Sequence, residues 1–137
     1  MARELFIDTS GFYAILVERD PKHATAERIL KKSRAEKRLL LTTDYVLDET
    51  ATLLKARGAV SLVEPLFDHV FESRACRIEW MSEDRFAALR VFYRKHADQE
   101  WSLTDCLSFC IMKELKLQDA LTADVHFEQA GFVALLR

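Results

Sequence analysis

The sequence predicts an α/β fold in which a central parallel β-sheet is flanked by helices as an α/β/α sandwich, and three observations carry that expectation. Two short apolar runs, LFI at 5–7 and LLL at 39–41, are too brief for helices and are closed by Asp or Thr, as buried strands are. Between such runs lie longer segments with apolar residues at helical spacing. A strand followed by a helical crossover implies a parallel neighbour. Only 3 Gly and 2 Pro in 137 residues leave little punctuation for long irregular loops. With 50% hydrophobic and 31% charged residues, the composition is that of one compact domain, spanning 1–137, able to bury its own core.

Taken in order, Leu5, Phe6 and Ile7 form the first strand, and Asp8 turns at once into a helix through Thr9, Ser10 and Gly11. Ala24, Ala26, Ile29 and Leu30 recur near helical spacing in a second helix that ends in a basic cluster. After the Leu39–Leu41 strand, Thr42 or Thr43 caps a helix carrying Val46, Leu47, Thr50, Ala51 and Leu54 on one face, until Gly58 ends it. A helix from Val60 to Glu72 carries Leu62, Val63, Leu66, Phe67, Val70 and Phe71, a wide apolar surface that something must cover. CRIEWM (76–81) alternates as a half-exposed strand, with Cys76, Ile78 and Trp80 on one side. Ser82 precedes a helix with Phe86, Leu89, Val91, Phe92 and Tyr93. SLTDCLSFCIMKEL is a further helix, ALTAD a strand, and FVALL a closing strand after Gly131.

Charge and cysteine usage exclude several classes. The formal net charge of −2 gives no blanket attraction to nucleic acid, so any such binding is local. The local candidate is KHATAERILKKSRAEKR, whose Lys31, Lys32 and Lys37 are the expected RNA contacts; the competing view is a solvated helix face. Cys76, Cys106 and Cys110 are odd in number and lie within apolar patterns, which fits reduced, buried thiols. The i, i+4 spacing of Cys106 and Cys110 lacks a second Cys/His pair at zinc spacing. No charged and apolar leader opens the chain and no stretch reaches the ~20 apolar residues of a membrane span, so a cytoplasmic protein with no membrane partner is expected.

Four acids stand where such a fold puts chemistry. In parallel sheets, ligands bind in the crevice beyond the carboxyl ends of the strands. Asp8 and Asp124 both follow strands, and so leave the sheet at that edge. Glu49 has Tyr45, Val46 and Leu53 as helical neighbours, and Asp105 has Trp101 and Phe109 at i−4 and i+4, apolar settings that are expensive for a charge without a partner. Each acid taken singly has a structural explanation. Asp8 and Asp124 can be N-caps worth ~1 kcal/mol each, and Ser102 to Asp105 fits a capping box. Jointly the caps explain less, because Glu49 caps nothing and no basic residue in these segments neutralises the set. Converging carboxylates without lysine or arginine call for a hard divalent cation, and oxygen ligands favour magnesium or manganese (Mg2+ or Mn2+) over zinc. Such a centre suits phosphodiester hydrolysis.

FIDTSGFYAIL, TTDYVLDETATLL, WSLTDCLSFCIM and ALTADVHFEQAGF, in that order and covering essentially the whole chain, together resemble the four motif blocks of PIN-domain proteins. The length is similar to that of the VapC-like toxins of bacterial toxin–antitoxin pairs. The resemblance implies a PIN-like domain and a metal-dependent endoribonuclease cutting single-stranded or looped RNA. It makes Asp8, Glu49, Asp105 and Asp124 the catalytic and metal-holding acids, with Ser10 and Thr104 as supporting hydroxyls. It gives His126 and Phe127 structural roles and offers Glu128 as a further acid near the last block. It also implies a homodimer and an antitoxin protein, which could set an arginine against the four acids.

Competing families fit less well. A haloacid-dehalogenase-like phosphatase needs a second Asp two residues after the first, where Ser10 stands. A response-regulator receiver needs paired acids ahead of the first strand's Asp and a late lysine, and neither is in place. The alternative within the same fold is a non-catalytic module that binds RNA or protein, against which the intact acid set argues.

Overall fold

A computed structural model describes residues 3–137. Five strands, β1 (Leu5–Ile7), β2 (Leu40–Thr43), β3 (Cys76–Glu79), β4 (Asp119–Leu121) and β5 (Val133–Ala134), form one sheet in the order β3-β2-β1-β4-β5, with every neighbouring pair parallel. The first strand is therefore the central one. The chain builds outward from it to β3, then returns to its other side for β4 and β5. That reversal leaves a crevice beyond the carboxyl ends of β1 and β4.

Seven helices connect the strands: α1 (Thr9–Leu16), α2 (His23–Ala35), α3 (Asp44–Ala56), α4 (Val63–Glu72), α5 (Glu83–Lys95), α6 (Leu103–Glu114) and α7 (Val125–Gln129). α1 packs on α2 and α3, and α5 packs on α6. β1 is buried along its whole length, as expected for a strand flanked on both sides and covered on both faces. Phe109 of α6 and Phe127 of α7 meet edge to face at 4.9 Å and 83°, and Phe127 also lies against Phe6 of β1. These three rings, each fully buried, lock α6 and α7 onto the sheet.

Gly11 allows α1 to lie hard against β4. A Cβ at that position would stand 2.1 Å from the Leu121 carbonyl oxygen, a backbone atom that cannot step aside. Thr43, not Thr42, caps α3 by accepting from the Val46 amide at 3.0 Å. The Thr42 hydroxyl instead donates to the Ile7 carbonyl across the sheet.

The structure departs from the sequence expectations at several boundaries. The expected helix from Val60 to Glu72 is a 3-10 turn, Val60–Leu62, followed by α4. Its apolar surplus divides, with Leu66 and Val70 buried and Val60 and Phe71 exposed. β3 ends at Glu79, so Trp80 does not share a strand face with Cys76 and Ile78; it is 55% exposed and stacks on Phe71. β4 ends at Leu121, leaving Thr122–Asp124 outside the ladder, and β5 is only two residues long. Leu39, expected in a strand, is exposed ahead of β2. The three cysteines are free. Among the described residues no helix is long and apolar enough to cross a membrane.

Candidate metal centre

All four predicted acids lie at or near the carboxyl edge of the sheet. Asp8 takes the N-cap position of α1 in extended conformation, yet its carboxylate makes no capping bond. The Thr122 hydroxyl donates to its Oδ2 at 2.9 Å, while Oδ1 is buried with no partner at all. Asp8 is 3% exposed, and burial pushes its pKa up to about 7, reinforced by the charges of Asp105 and Glu49 and opposed by the Thr9 amide and the Thr122 hydroxyl. A carboxylate oxygen in that condition either holds a proton or awaits a cation.

Asp105 is the third residue of α6 and completes a capping box: its amide donates to Ser102 Oγ at 3.0 Å and its Oδ2 accepts from the Ser102 amide at 3.2 Å. The same oxygen lies 3.1 Å from His126 Nδ1. Burial raises the Asp105 pKa, with the charge of Asp124 adding to it and His126 opposing it. Asp124 caps α7, accepting from the His126 amide at 2.9 Å, and its Oδ1 stands 3.4 Å from His126 Nδ1. An ionised carboxylate only accepts, so the ring hydrogen belongs on Nδ1, shared between the two acids. Glu49, half-buried on α3, faces the same cleft as Asp8 and Asp124. Among the described residues no lysine or arginine pairs with any of the four.

Hydroxyls tie the first and last acids together. Thr122, fully buried, donates its only hydrogen to Asp8 and accepts from the Asp124 amide at 3.0 Å. The Ser10 hydroxyl, 3.1 Å away, is therefore the donor to Thr122 Oγ1, and Ser10 Oγ itself accepts from the Ala123 amide at 2.9 Å. Ser10 thus reaches Asp8 only through Thr122, and among the described residues its hydroxyl bonds no carboxylate. Thr104 sits one residue before Asp105, half-buried, and its carbonyl accepts from Ser108; among the described residues its hydroxyl has no hydrogen-bond partner. Glu128 is exposed and paired with Arg137 at 2.7 Å.

Sequence reasoning missed Thr122 and undervalued His126. The available signal was the pairing of DTS with TAD, which sets hydroxyls beside both strand-terminal acids. Of the basic segment 22–38, its first residue Lys22 lines the cleft of Asp8, Glu49 and Asp124, whereas Lys31, Lys32 and Lys37 are not among the cleft's lining residues. Lys37 precedes β2 and so stands at the amino edge of the sheet, beside Leu39, Arg38 and Arg74. Lys31 and Lys32 lie toward the same end of α2. The cations that line the acidic cleft, a space of about 330 Å³, are Lys22 and Arg57.

The donor set fits a hard divalent cation. It offers carboxylate oxygens from four separate segments, one of them buried and unpartnered, and among the described residues no lysine or arginine is paired with any of them. Asp105, Asp124 and His126 place one ligand atom each within 4.8 Å of one another. The sequence matches the PIN domain family over residues 5–133, and the chain belongs to that family. It is 31% identical over 130 residues to the 23S rRNA-specific endonuclease VapC20 of Mycobacterium tuberculosis (strain CDC 1551 / Oshkosh), covering 94% of this chain and 95% of that protein. VapC20 of strain ATCC 25618 / H37Rv matches equally. The crystal structure of M. tuberculosis VapC20, described as a sarcin–ricin loop cleaving toxin, superimposes with a TM-score of 0.82 at 30% identity, covering 95% of this chain and 97% of that one.

Proposed function

We propose that this protein is a metal-dependent endoribonuclease and the toxin of a toxin–antitoxin pair, hydrolysing a phosphodiester bond of RNA at the carboxyl edge of its sheet. The observation that carries this reading is Asp8: a buried carboxylate with one oxygen orphaned, with three further acids at the same edge and, among the described residues, no lysine or arginine paired with it. Asp8, Glu49, Asp105 and Asp124 would hold Mg2+ or Mn2+. When bound, such an ion supplies charge neutralisation and Lewis-acid activation of the phosphate and of the attacking water. The chain's own work is positional. Thr122 and Ser10 fix the rotamer of Asp8, the α6 capping box fixes Asp105, and His126 spaces Asp105 from Asp124 through its Nδ1 hydrogen.

The substrate is RNA, and the 23S rRNA loop named for VapC20 is the first to test. The partners in this reading are a second copy of the chain and an antitoxin that sets an arginine among the acids. Exposed Phe86 and Tyr93 on α5, together with the stacked Phe71–Trp80 pair, support such protein contacts. The decisive experiment incubates the purified chain with 23S rRNA in Mg2+, in Mn2+ and in EDTA, beside Asp8→Asn and Asp105→Asn. Specific cleavage with either metal, abolished by EDTA and by both substitutions, is expected. Cleavage that survives EDTA or either substitution at the wild-type rate overturns the assignment.

A further inference from the structure

The cleft has a second wall that the acids do not explain. Glu49, Leu53 and Arg57 follow one another at i, i+4 and i+8, so they form a single stripe on α3, and all three line the cleft. Arg57 lies eight residues beyond Glu49, about 12 Å along the helix axis. Its guanidinium rests over the ring of Tyr13 on α1, 4.9 Å from the centroid. Lys22, just ahead of α2, reaches the same space. Among the described residues neither cation has an ion-pair partner.

An arginine at a helix C-terminus is expected to favour the helix dipole, and that role asks nothing more of it. The dipole does not require an aromatic ring beneath the guanidinium, nor a second unpaired cation across the gap. Stacking on Tyr13 holds the planar group in place with its N–H donors free at the edges, the presentation that suits bidentate contact with a phosphate. Arg57 stands about two helical turns beyond Glu49, so the phosphate it would hold is taken as a neighbour of the one being cut.

We propose that Arg57, braced by Tyr13, and Lys22 form a subsite that grips the backbone phosphate of a nucleotide neighbouring the scissile bond. The inference rests on the ribonuclease reading and deepens it. The repulsion that the acids exert on a polyanion is thereby offset by Arg57 and Lys22 in the same cleft, where Asp20 also stands beside Lys22. Lys22 opens the basic segment 22–38 whereas Arg57 lies outside it, so charge clustering alone does not single out the pair.

The test separates strand grip from chemistry. Binding of a fluorescent RNA hairpin carrying the sarcin–ricin loop sequence is measured in EDTA across a salt series, for wild type, Arg57→Gln, Arg57→Lys and Lys22→Gln/Arg57→Gln. Removing one cation from a backbone phosphate is expected to make the slope of log affinity against log salt shallower by about 0.7 to 0.9. Arg57→Lys keeps the charge and retains most of the slope. With Mn2+, Arg57→Gln lowers kcat/KM about tenfold on the hairpin, mainly through KM, and leaves cleavage of a dinucleotide unchanged. An unaltered salt slope in both Gln variants, or an equal loss on hairpin and dinucleotide, overturns the subsite while leaving the ribonuclease intact. A wild-type protein that neither binds nor cuts RNA overturns both.

Discussion

In the absence of metal, Asp8 should make the protein less stable as pH rises through neutrality, and Asp8→Asn should remove that dependence. Folding lifts the carboxyl from its ordinary 3.8 to about 7, chiefly by burial. The folded state therefore binds this proton more tightly than the unfolded chain. The associated stability is complete below pH 3.8 and is lost as pH climbs through about 7. At 1.36 kcal/mol per pKa unit, the full loss is about 4 kcal/mol, of which about 2–3 kcal/mol falls between pH 5 and pH 8. Asp105, raised in the same direction, adds to it.

The Asn side chain keeps an oxygen for the Thr122 hydroxyl but puts a buried N–H where Oδ1 has no partner, at a cost of about 1–3 kcal/mol. The two stability curves should therefore cross. In EDTA, Asp8→Asn is equal to or slightly below wild type at pH 5, and about 1–3 kcal/mol above it at pH 8. Urea unfolding at five pH values measures this directly. Adding Mn2+ at a hundred times its dissociation constant should raise wild type by about 2.7 kcal/mol and the variant by much less. A wild-type curve that is flat from pH 5 to pH 8, or two curves that run parallel, would refute the account of Asp8 as a carboxylate held for a cation.

Thr122→Val should destabilise the fold by about 2 kcal/mol and weaken Mn2+ binding, because it strips Asp8 Oδ2 and the Asp124 amide of one partner at once; Thr122→Ser should cost about 1 kcal/mol and keep the metal affinity, as calorimetry will show. Gly11→Ala should cost about 3 kcal/mol or more in urea unfolding, since a Cβ 2.1 Å from the Leu121 carbonyl forces α1 off β4. The triple variant Lys31→Gln/Lys32→Gln/Lys37→Gln should cut RNA in Mg2+ at close to the wild-type rate, as Lys37 stands at the amino edge of the sheet and α2 carries the other two toward it.

The sheet and the acid set were legible in the sequence because both rest on local signals. LFI and LLL are apolar runs closed by a polar residue, and such runs allow few other conformations. The acids at 8 and 124 are marked by their position after strands, and those at 49 and 105 by their apolar helical neighbours. Where the basic segment lies relative to the acids was not legible. Charge clustering is visible in one dimension, but which edge of the sheet receives the cluster depends on the direction of α2, and its apolar spacing is the same read either way. That Lys22, the first residue of the basic segment, lines one cleft with Arg57 stayed hidden because the two are 35 positions apart and meet only through the packing of α1 on α2 and α3. Trp80 was misplaced because alternation continues for one residue after the ladder has ended.

The choice between helix cap and metal ligand, which the sequence posed as alternatives, dissolves in the structure. Asp105 and Asp124 do cap their helices, and Asp105 closes a full capping box. Asp8 occupies the cap position of α1 without making the bond. Three carboxylates thus stand at three helix N-termini, where unpaired amides and the helix dipole favour negative charge. Each such placement contributes about 0.3–1 kcal/mol, which offsets part of the repulsion among the acids but not the burial of Asp8. Capping positions the carboxylates and lowers the cost of keeping them together. The residual cost, concentrated on Asp8, which stands at a helix N-terminus without making the capping bond and has an orphaned oxygen, is what a divalent cation would relieve. A fold that satisfied all of its carboxylates by capping would have no reason to bind a metal there, and Asp8 is where this one stops short.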